Sequence, residues 1–129
     1  MSLSVVISNA SGLPIYEQIK EQVKASILDG GLAEGEPLPS IRQMASDLRV
    51  SVMTTTRAYS ELESEGFLCT VQGKGSYVAP IDNDLVREQL LRRVEDALTS
   101  AAATARIAGI AKPQLLEILD FVLEGANND

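Results

Sequence analysis

Ser51, Met53, Thr54, Thr56 and Arg57 fall within one short stretch, SVMTTTRAY. Their chemistry is that of recognition and not of bond breaking. Hydroxyls donate and accept hydrogen bonds, a guanidinium presents a fork of N–H donors, and methyl and thioether groups offer apolar contact. Three consecutive threonines are awkward in a helix, because branching at Cβ restricts the side chain against the preceding turn. A helix that opens on them uses those side chains outward. Short hydroxyls can reach phosphate oxygens or base edges, and their methyls can meet a thymine methyl. Two further cations stand in telling places: Arg42, just after LPS, and Lys74, between Gly73 and Gly75. Arg57 has a plainer alternative, an i,i+4 surface pair with Glu61 worth about 0.3–0.5 kcal/mol.

Composition narrows the chemistry further. The chain has 129 residues, 45% hydrophobic and 22% charged, in the range of an ordinary folded domain with an appendage. It contains no histidine and a single cysteine, Cys69. That removes Ser-His-Asp and Cys-His catalysis, intramolecular disulfides and the usual zinc sites. GKG lacks the Walker spacing and reads as a turn, so no nucleotide loop is present. No metal or other cofactor is expected, and an enzyme is the weakest class. No run of apolar residues is long enough for a membrane span, and no secretory h-region opens the chain, so a cytoplasmic protein is the simple reading. The net charge of −7 argues against a nucleic-acid partner, but its distribution softens that objection. From Pro39 to Arg57 the cations Arg42, Arg49 and Arg57 face only Asp47.

The elements that must position these residues can be read from period and punctuation. Val5-Val6-Ile7 either pairs as a short strand or lies on the surface. Ile15, Ile19, Val23 and Ile27, broadened by Tyr16 and Leu28, form the stripe of an amphipathic helix ending at Gly30-Gly31, with Lys20, Glu21 and Lys24 on other faces. Ser40 caps a second, short helix with Ile41, Met44, Ala45 and Leu48 inward. Ser51 caps a third, running to about Glu65, with Thr55, Ala58, Tyr59 and Leu62 inward. Glu61, Glu63 and Glu65 read as its solvated end. Phe67 to Gln72 and Ser76 to Val78 flank a glycine-rich tip and read as a hairpin, with Cys69 a small buried residue in it. Beyond residue 80 a long helix with a wide apolar face runs to Gly109, and Pro113 opens a last helix ended by Gly125 and the tail ANND.

Three helices, the last two joined by a tight turn, followed by a hairpin, make a winged helix-turn-helix. The fold class expected is therefore mostly α with a small β-hairpin: a winged helix over residues 1–80 and a short two-helix segment over 81–129. The N-terminal end of the third helix could enter a major groove, its free N–H groups favouring phosphate.

The stretch LPSIRQMASDLRVSVMTTTRAYSELESEGFLCTVQGKGSYV resembles the DNA-binding domain of the GntR family of bacterial transcriptional regulators, with PIYEQIKEQVKASILDGGLAEGEPLPSIRQMA, RAYSELESEGF and QGKGSYV as matching pieces. The short tail resembles the YtrA subfamily. The resemblance implies that Arg42 contacts DNA, that Ser51, Met53, Thr54 and Thr56 form the reading end with Arg57 beside them, and that Gly73 and Lys74 place the wing tip at the minor groove. Many family members carry Arg where this chain has Val52, which implies a changed base contact there. The partner implied is double-stranded DNA carrying a pseudo-palindromic operator, and the activity is regulation of transcription, as a repressor.

Two helices make too little core to stand alone, and their apolar faces need a surface to cover them. A second copy is the economical choice, giving a homodimer through the C-terminal helices. A small-molecule effector of unknown identity would have to lodge beside the tail or at the dimer interface. The rival expectation is a winged-helix protein-interaction module without DNA binding, which the acidic charge and Val52 favour.

Overall fold

The computed structural model describes residues 3–127, and the placement of Met1, Ser2, Asn128 and Asp129 lies outside it. Five helices and a two-stranded sheet follow in the order α1 (Ile15–Leu28), α2 (Ile41–Leu48), α3 (Val52–Ser64), β1 (Leu68–Val71), β2 (Gly75–Val78), α4 (Asp84–Ala108) and α5 (Lys112–Asn127). The chain divides into two compact units, the first running to Gln89 and the second beginning at Leu90. Among the described residues no helix is long and apolar enough to cross a membrane.

The first unit is organised around α3, which packs on α1, α2 and β1. Its inward set is the one the spacing predicts: Thr55, Ala58, Tyr59 and Leu62 are all buried. They meet Ile19, Val23 and Ile27 of α1, Met44 of α2, and Phe67, Leu68, Val78 and Val86. Fully burying a side chain such as Leu62 stabilises by about 1.5–3 kcal/mol. The Tyr59 hydroxyl donates to Pro39 O at 2.7 Å and so pins α3 to the entry of α2. Burial among apolar neighbours pushes that hydroxyl's pKa well above the ordinary phenol value.

Helix ends fix the angles between elements. Ser40 Oγ accepts from the Gln43 N–H at 3.0 Å and opens α2. At its far end Val50 N–H reaches back to Ala45 O and Arg49 N–H to Ser46 O, the bond pair of a Schellman motif. The residue this motif places in the left-handed region is Arg49, at φ 58° and ψ 45°. The same bond pattern ends α3 at Gly66 and α4 at Gly109, both at positive φ. Gly66 has a second constraint, since a Cβ there would lie 2.7 Å from Leu85 Cβ and 2.8 Å from Asn83 Oδ1. Asn83 bridges this corner: its Nδ2 donates to Gly66 O and Pro80 O, and its Oδ1 accepts from Val86 N–H at the start of α4.

The sheet is antiparallel, with Leu68 opposite Val78 and Val71 opposite Gly75. The loop before α2 adds a rudimentary third strand, because Leu38 N–H donates to Ser76 O and Val78 N–H to Glu36 O. Val5-Val6-Ile7 forms no strand. Val5 and Ile7 pack against the core cluster, and Val6 faces out. Two glutamines of α1 substitute for a neighbouring strand. Gln22 both accepts from Val6 N–H and donates to Val6 O, and Gln18 does the same for Ser8.

Two expectations are corrected and a third is completed. Lys20 and Lys24 do lie off the apolar stripe of α1 but are buried, because their ammonium groups meet the carboxylates of Glu61 and Glu65 at the end of α3 while their stems cover the core. Cys69 is exposed, because alternation along β1 turns Leu68 inward and the next side chain outward. Gly125 does not end the last helix; α5 runs through it to Asn127, and the end of the ANND tail lies outside the described residues.

Candidate nucleic-acid interface

The N-terminal end of α3 is built by Ser51. Its Oγ accepts from Thr54 N–H at 3.0 Å and donates to Thr54 Oγ1 at 2.8 Å. The buried Thr55 turns its hydroxyl back to Ser51 O, and Thr56 donates to Val52 O at 2.8 Å. These local bonds show how the helix tolerates a threonine run: each hydroxyl settles within one turn. Met53 and Thr56 are exposed and Thr54 is half-buried. The structure therefore brings Ser51, Met53, Thr54 and Thr56 onto one helix end.

Arg42 lies on the solvent side of α2. It shares the rim of a shallow cleft with Ser40, Tyr59, Thr70, Gly75 and Ser76, so α2 opens beside the root of the hairpin. The hairpin tip spans Gln72, Gly73 and Lys74. Lys74 N–H donates to Val71 O at 2.9 Å, and Gly73 takes φ 79°, as the third residue of a type II turn requires. Nothing within the chain approaches a Cβ built at Gly73, so another molecule can come close to the backbone there. Lys74 is exposed on that tip, and the Tyr77 hydroxyl steadies it from behind by donating to Lys74 O.

Arg57 is drawn toward its own helix. Its Nε donates to Glu61 Oε2 at 3.1 Å, and its guanidinium stacks 3.7 Å from the centroid of the Tyr16 ring. Both readings of Arg57 fit one arrangement, because a guanidinium has five N–H groups and Nε supplies only one. The terminal nitrogens of this largely exposed side chain remain available to an acceptor outside the chain.

Further along α3 the chemistry changes. Lys20 Nζ lies 3.0 Å from both Glu61 Oε1 and Glu65 Oε2, and Lys24 Nζ lies 2.7 Å from Glu65 Oε1. Burial disfavours the Lys20 charge, but the hydrogen-bonded carboxylates outweigh it and hold its pKa above the ordinary lysine value. Lys20 and Arg57 in turn hold Glu61 below the usual carboxylate range. Burial works against the charge of Glu65, yet Lys24 and Lys20 bring it below that range as well. Lys24 Nζ also sits 5.3 Å from the centroid of the Phe67 ring. Glu63 accepts from Thr70 N–H and ties the helix end to β1. Three acidic residues that looked like a solvated end are thus structural joints.

The structure adds Arg49 to the candidates, a residue that the sequence reading did not single out as a site residue. It is exposed in the turn between α2 and α3, and its guanidinium makes no hydrogen bond or ion pair among the described residues. The signal was its position: a cation wedged between two capped helices, where the left-handed geometry of the turn favours glycine.

Residues 15–78 match the family model of bacterial regulatory proteins, gntR family. The chain is 33% identical to the HTH-type transcriptional repressor YtrA of Bacillus subtilis (strain 168), over 97% of this chain and 99% of that protein. Among solved structures, YtrA from Sulfolobus acidocaldarius, a GntR-family transcription factor, is similar at TM-score 0.64 and 31% identity, over 95% of this chain and 99% of that one. AraR(DBD) in complex with operator ORX1 is similar at TM-score 0.53 and 30% identity, over 61% of this chain and 99% of that one.

Proposed function

The chain belongs to the gntR family of bacterial regulatory proteins, and we propose that it is a sequence-specific DNA-binding repressor of transcription that works as a homodimer. The observation that carries this reading is the N-terminal end of α3. It is capped by Ser51, braced from behind by Thr55, Ala58, Tyr59 and Leu62, and left open to solvent in front. The similarity to AraR(DBD), solved on an operator, supports it.

In this reading the residues divide the work. Arg42, Arg49 and Lys74 neutralise phosphates and set the register of the protein on the duplex. Ser51, Met53, Thr54 and Thr56 face the base edges in the major groove. Arg57 reaches a phosphate with its terminal nitrogens while Glu61 and Tyr16 hold its other edge. Gly73 lets the wing backbone approach the minor groove with Lys74 beside it. The division into a reading head over 1–80 and a dimerising segment over 81–129 belongs to the same proposal.

The second unit supports the dimer. Leu90, Leu91, Val94 and Leu98 on α4, and Leu119, Phe121, Val122 and Leu123 on α5, are all exposed. Contiguous apolar surface of this kind marks an interface, and a second copy would cover it isologously. Two reading heads related by a two-fold axis would then meet half-sites about 10 bp apart.

Selection of bound duplexes from a random pool tests the whole reading. It should enrich a pseudo-palindrome, and the affinity for it should fall with a log–log salt slope of about −0.9 per phosphate neutralised. A pool that shows no enrichment would overturn it. Sedimentation of the wild type and of Phe121→Glu separates the dimer from the reading head: the variant should become monomeric and lose the palindrome while its head stays folded.

A further inference from the structure

The first turn of α3 has the wrong inventory for reading guanine or adenine. Val52 and Met53 are 47% and 83% exposed, and neither belongs to the core cluster or to the apolar residues packed on it. Guanine is read by the paired donors of Arg or Lys, and adenine by the amide of Asn or Gln. No residue from Ser51 to Thr56 is of any of these types. The hydroxyls are largely committed: Ser51 donates to Thr54 Oγ1, Thr55 to Ser51 O, and Thr56 to Val52 O. Among these residues only the Thr54 hydroxyl hydrogen is not given to an acceptor within the chain. The large apolar groups this turn exposes are therefore an isopropyl group and a thioether chain. The cations Arg42, Arg49, Arg57 and Lys74 all stand outside this turn and, in the reading above, supply attraction to phosphate.

We propose that Val52 and Met53 are specificity-determining residues that read the 5-methyl groups of thymines, so each half-site presents thymine, not guanine, beneath the first turn of α3. The proposal rests on the DNA-binding reading above and deepens it by naming the base feature recognised. The thymine methyl is the one apolar group that a base pair shows in the major groove. It is the natural complement to an uncharged apolar tip. Met53, unbranched and flexible, can follow a methyl on either strand, whereas Val52 is stiff at χ1 and fixes one position.

Deoxyuridine substitution tests this, because it removes the methyl and keeps every hydrogen-bonding group. In the duplex recovered by selection, each thymine is replaced in turn and the affinity measured at constant salt. One or two positions per half-site should weaken wild-type binding about fourfold each, the effect of one buried methyl. Val52→Ala and Met53→Ala should bind the thymine and deoxyuridine duplexes equally at those positions, with the salt slope and the melting temperature unchanged. Both side chains are exposed, so the variants should fold. An enriched palindrome that tolerates every deoxyuridine, or variants that keep the wild-type methyl sensitivity, would overturn this inference and leave the DNA-binding reading intact. No enriched duplex at all would overturn both.

Discussion

At the C-terminal end of α3, Glu61 and Glu65 engage Lys20 and Lys24 of α1, Glu63 holds β1, and Leu62 is buried beneath them. At the N-terminal end of the same helix, Val52 and Met53 face solvent, the hydroxyls bond within their own turn among the described residues, and Arg57 keeps spare donors. One helix thus carries two designs. The C-terminal half is satisfied by its own chain and fixes where the helix lies. In the proposed reading the N-terminal half keeps its recognition chemistry for a molecule outside. What the contrast teaches is that rigidity and recognition are placed a few turns apart, so that the reading end inherits a fixed position without being part of what fixes it.

The largest effect should come from breaking the anchored end. Leu62→Ala should destabilise the first unit by about 3 kcal/mol, from lost transfer energy plus the cavity left behind. Urea unfolding measures it. Affinity for DNA per folded molecule should stay within about twofold, since additivity holds for sites that share no partner. A large loss of affinity in folded Leu62→Ala protein would show that the two ends are not separable.

Glu65→Gln is the next step down. It leaves Lys24 with Glu21 alone, at 3.5 Å, and Lys20 with Glu61 and Glu17. The expected loss is about 2 kcal/mol, less than the ~3–5 of a fully buried pair, because both lysines keep another carboxylate. The pH dependence has a definite sign. Glu61 and Glu65 are held below the ordinary carboxylate range, so their contribution is fully present above the unfolded pKa of about 4.3 and is lost as pH falls through their folded values. Lys20 is held above the lysine range, so its contribution is complete below about pH 10.4 and is lost only as pH rises through its folded value. Stability from this cluster should therefore be flat between about pH 5 and 10 and decline on acidification. Melting followed from neutral pH down through the carboxylate range, for wild type and Glu65→Gln, should show a shallower acid limb in the variant.

The same contrast explains what the sequence made legible. The inward face of α3 follows from spacing alone, since Thr55, Ala58, Tyr59 and Leu62 recur on one side of a 3.6-residue period. The caps Ser40 and Ser51 are local signals and stand where the pattern puts them. Burial of Lys20 and Lys24 was not legible, because their partners lie 41 and 45 residues away and no local rule pairs them. Cys69 was misread because both Phe67 and Leu68 are buried, so the alternation that exposes the next residue starts one position late. The reading end was visible as residue types, but the local settling of its hydroxyls depends on side-chain rotamers that a sequence does not state.

Arg57 stands between the two designs and should register in both. Its Nε serves Glu61 and its plane serves Tyr16, while its terminal nitrogens are free to reach outward. Arg57→Ala should cost about 0.5–1 kcal/mol of stability, the usual size of an exposed pair combined with a cation–π contact. It should also weaken DNA binding and reduce the salt slope by about 0.9. Arg57→Lys keeps the charge but loses the fork and the stack, so it should recover part of the affinity and little of the stability. A variant that changes one readout and leaves the other untouched would assign Arg57 wholly to one end.

Arg49 gives the smallest loss of stability, in fact none, and the sharpest separation, because its two effects should have opposite signs. It occupies a left-handed conformation that disfavours a side chain by about 1–2 kcal/mol, at a helix end of the kind that α3 and α4 close with glycine. Arg49→Gly removes that strain but gives the unfolded chain more freedom, worth about 0.4–1 kcal/mol in the other direction. The net should lie between no change and a gain of about 1.6 kcal/mol. If the guanidinium is there for phosphate, the same variant should bind DNA more weakly, with the salt slope reduced by about 0.9. Arg49→Asn tolerates the left-handed geometry without the charge and should reproduce the loss of affinity with little change in stability. A turn that served only to join two helices would gain stability on Arg49→Gly and lose nothing. Equal affinity and equal salt slope in that variant would therefore remove Arg49 from the recognition surface and leave its strained backbone without a functional reason.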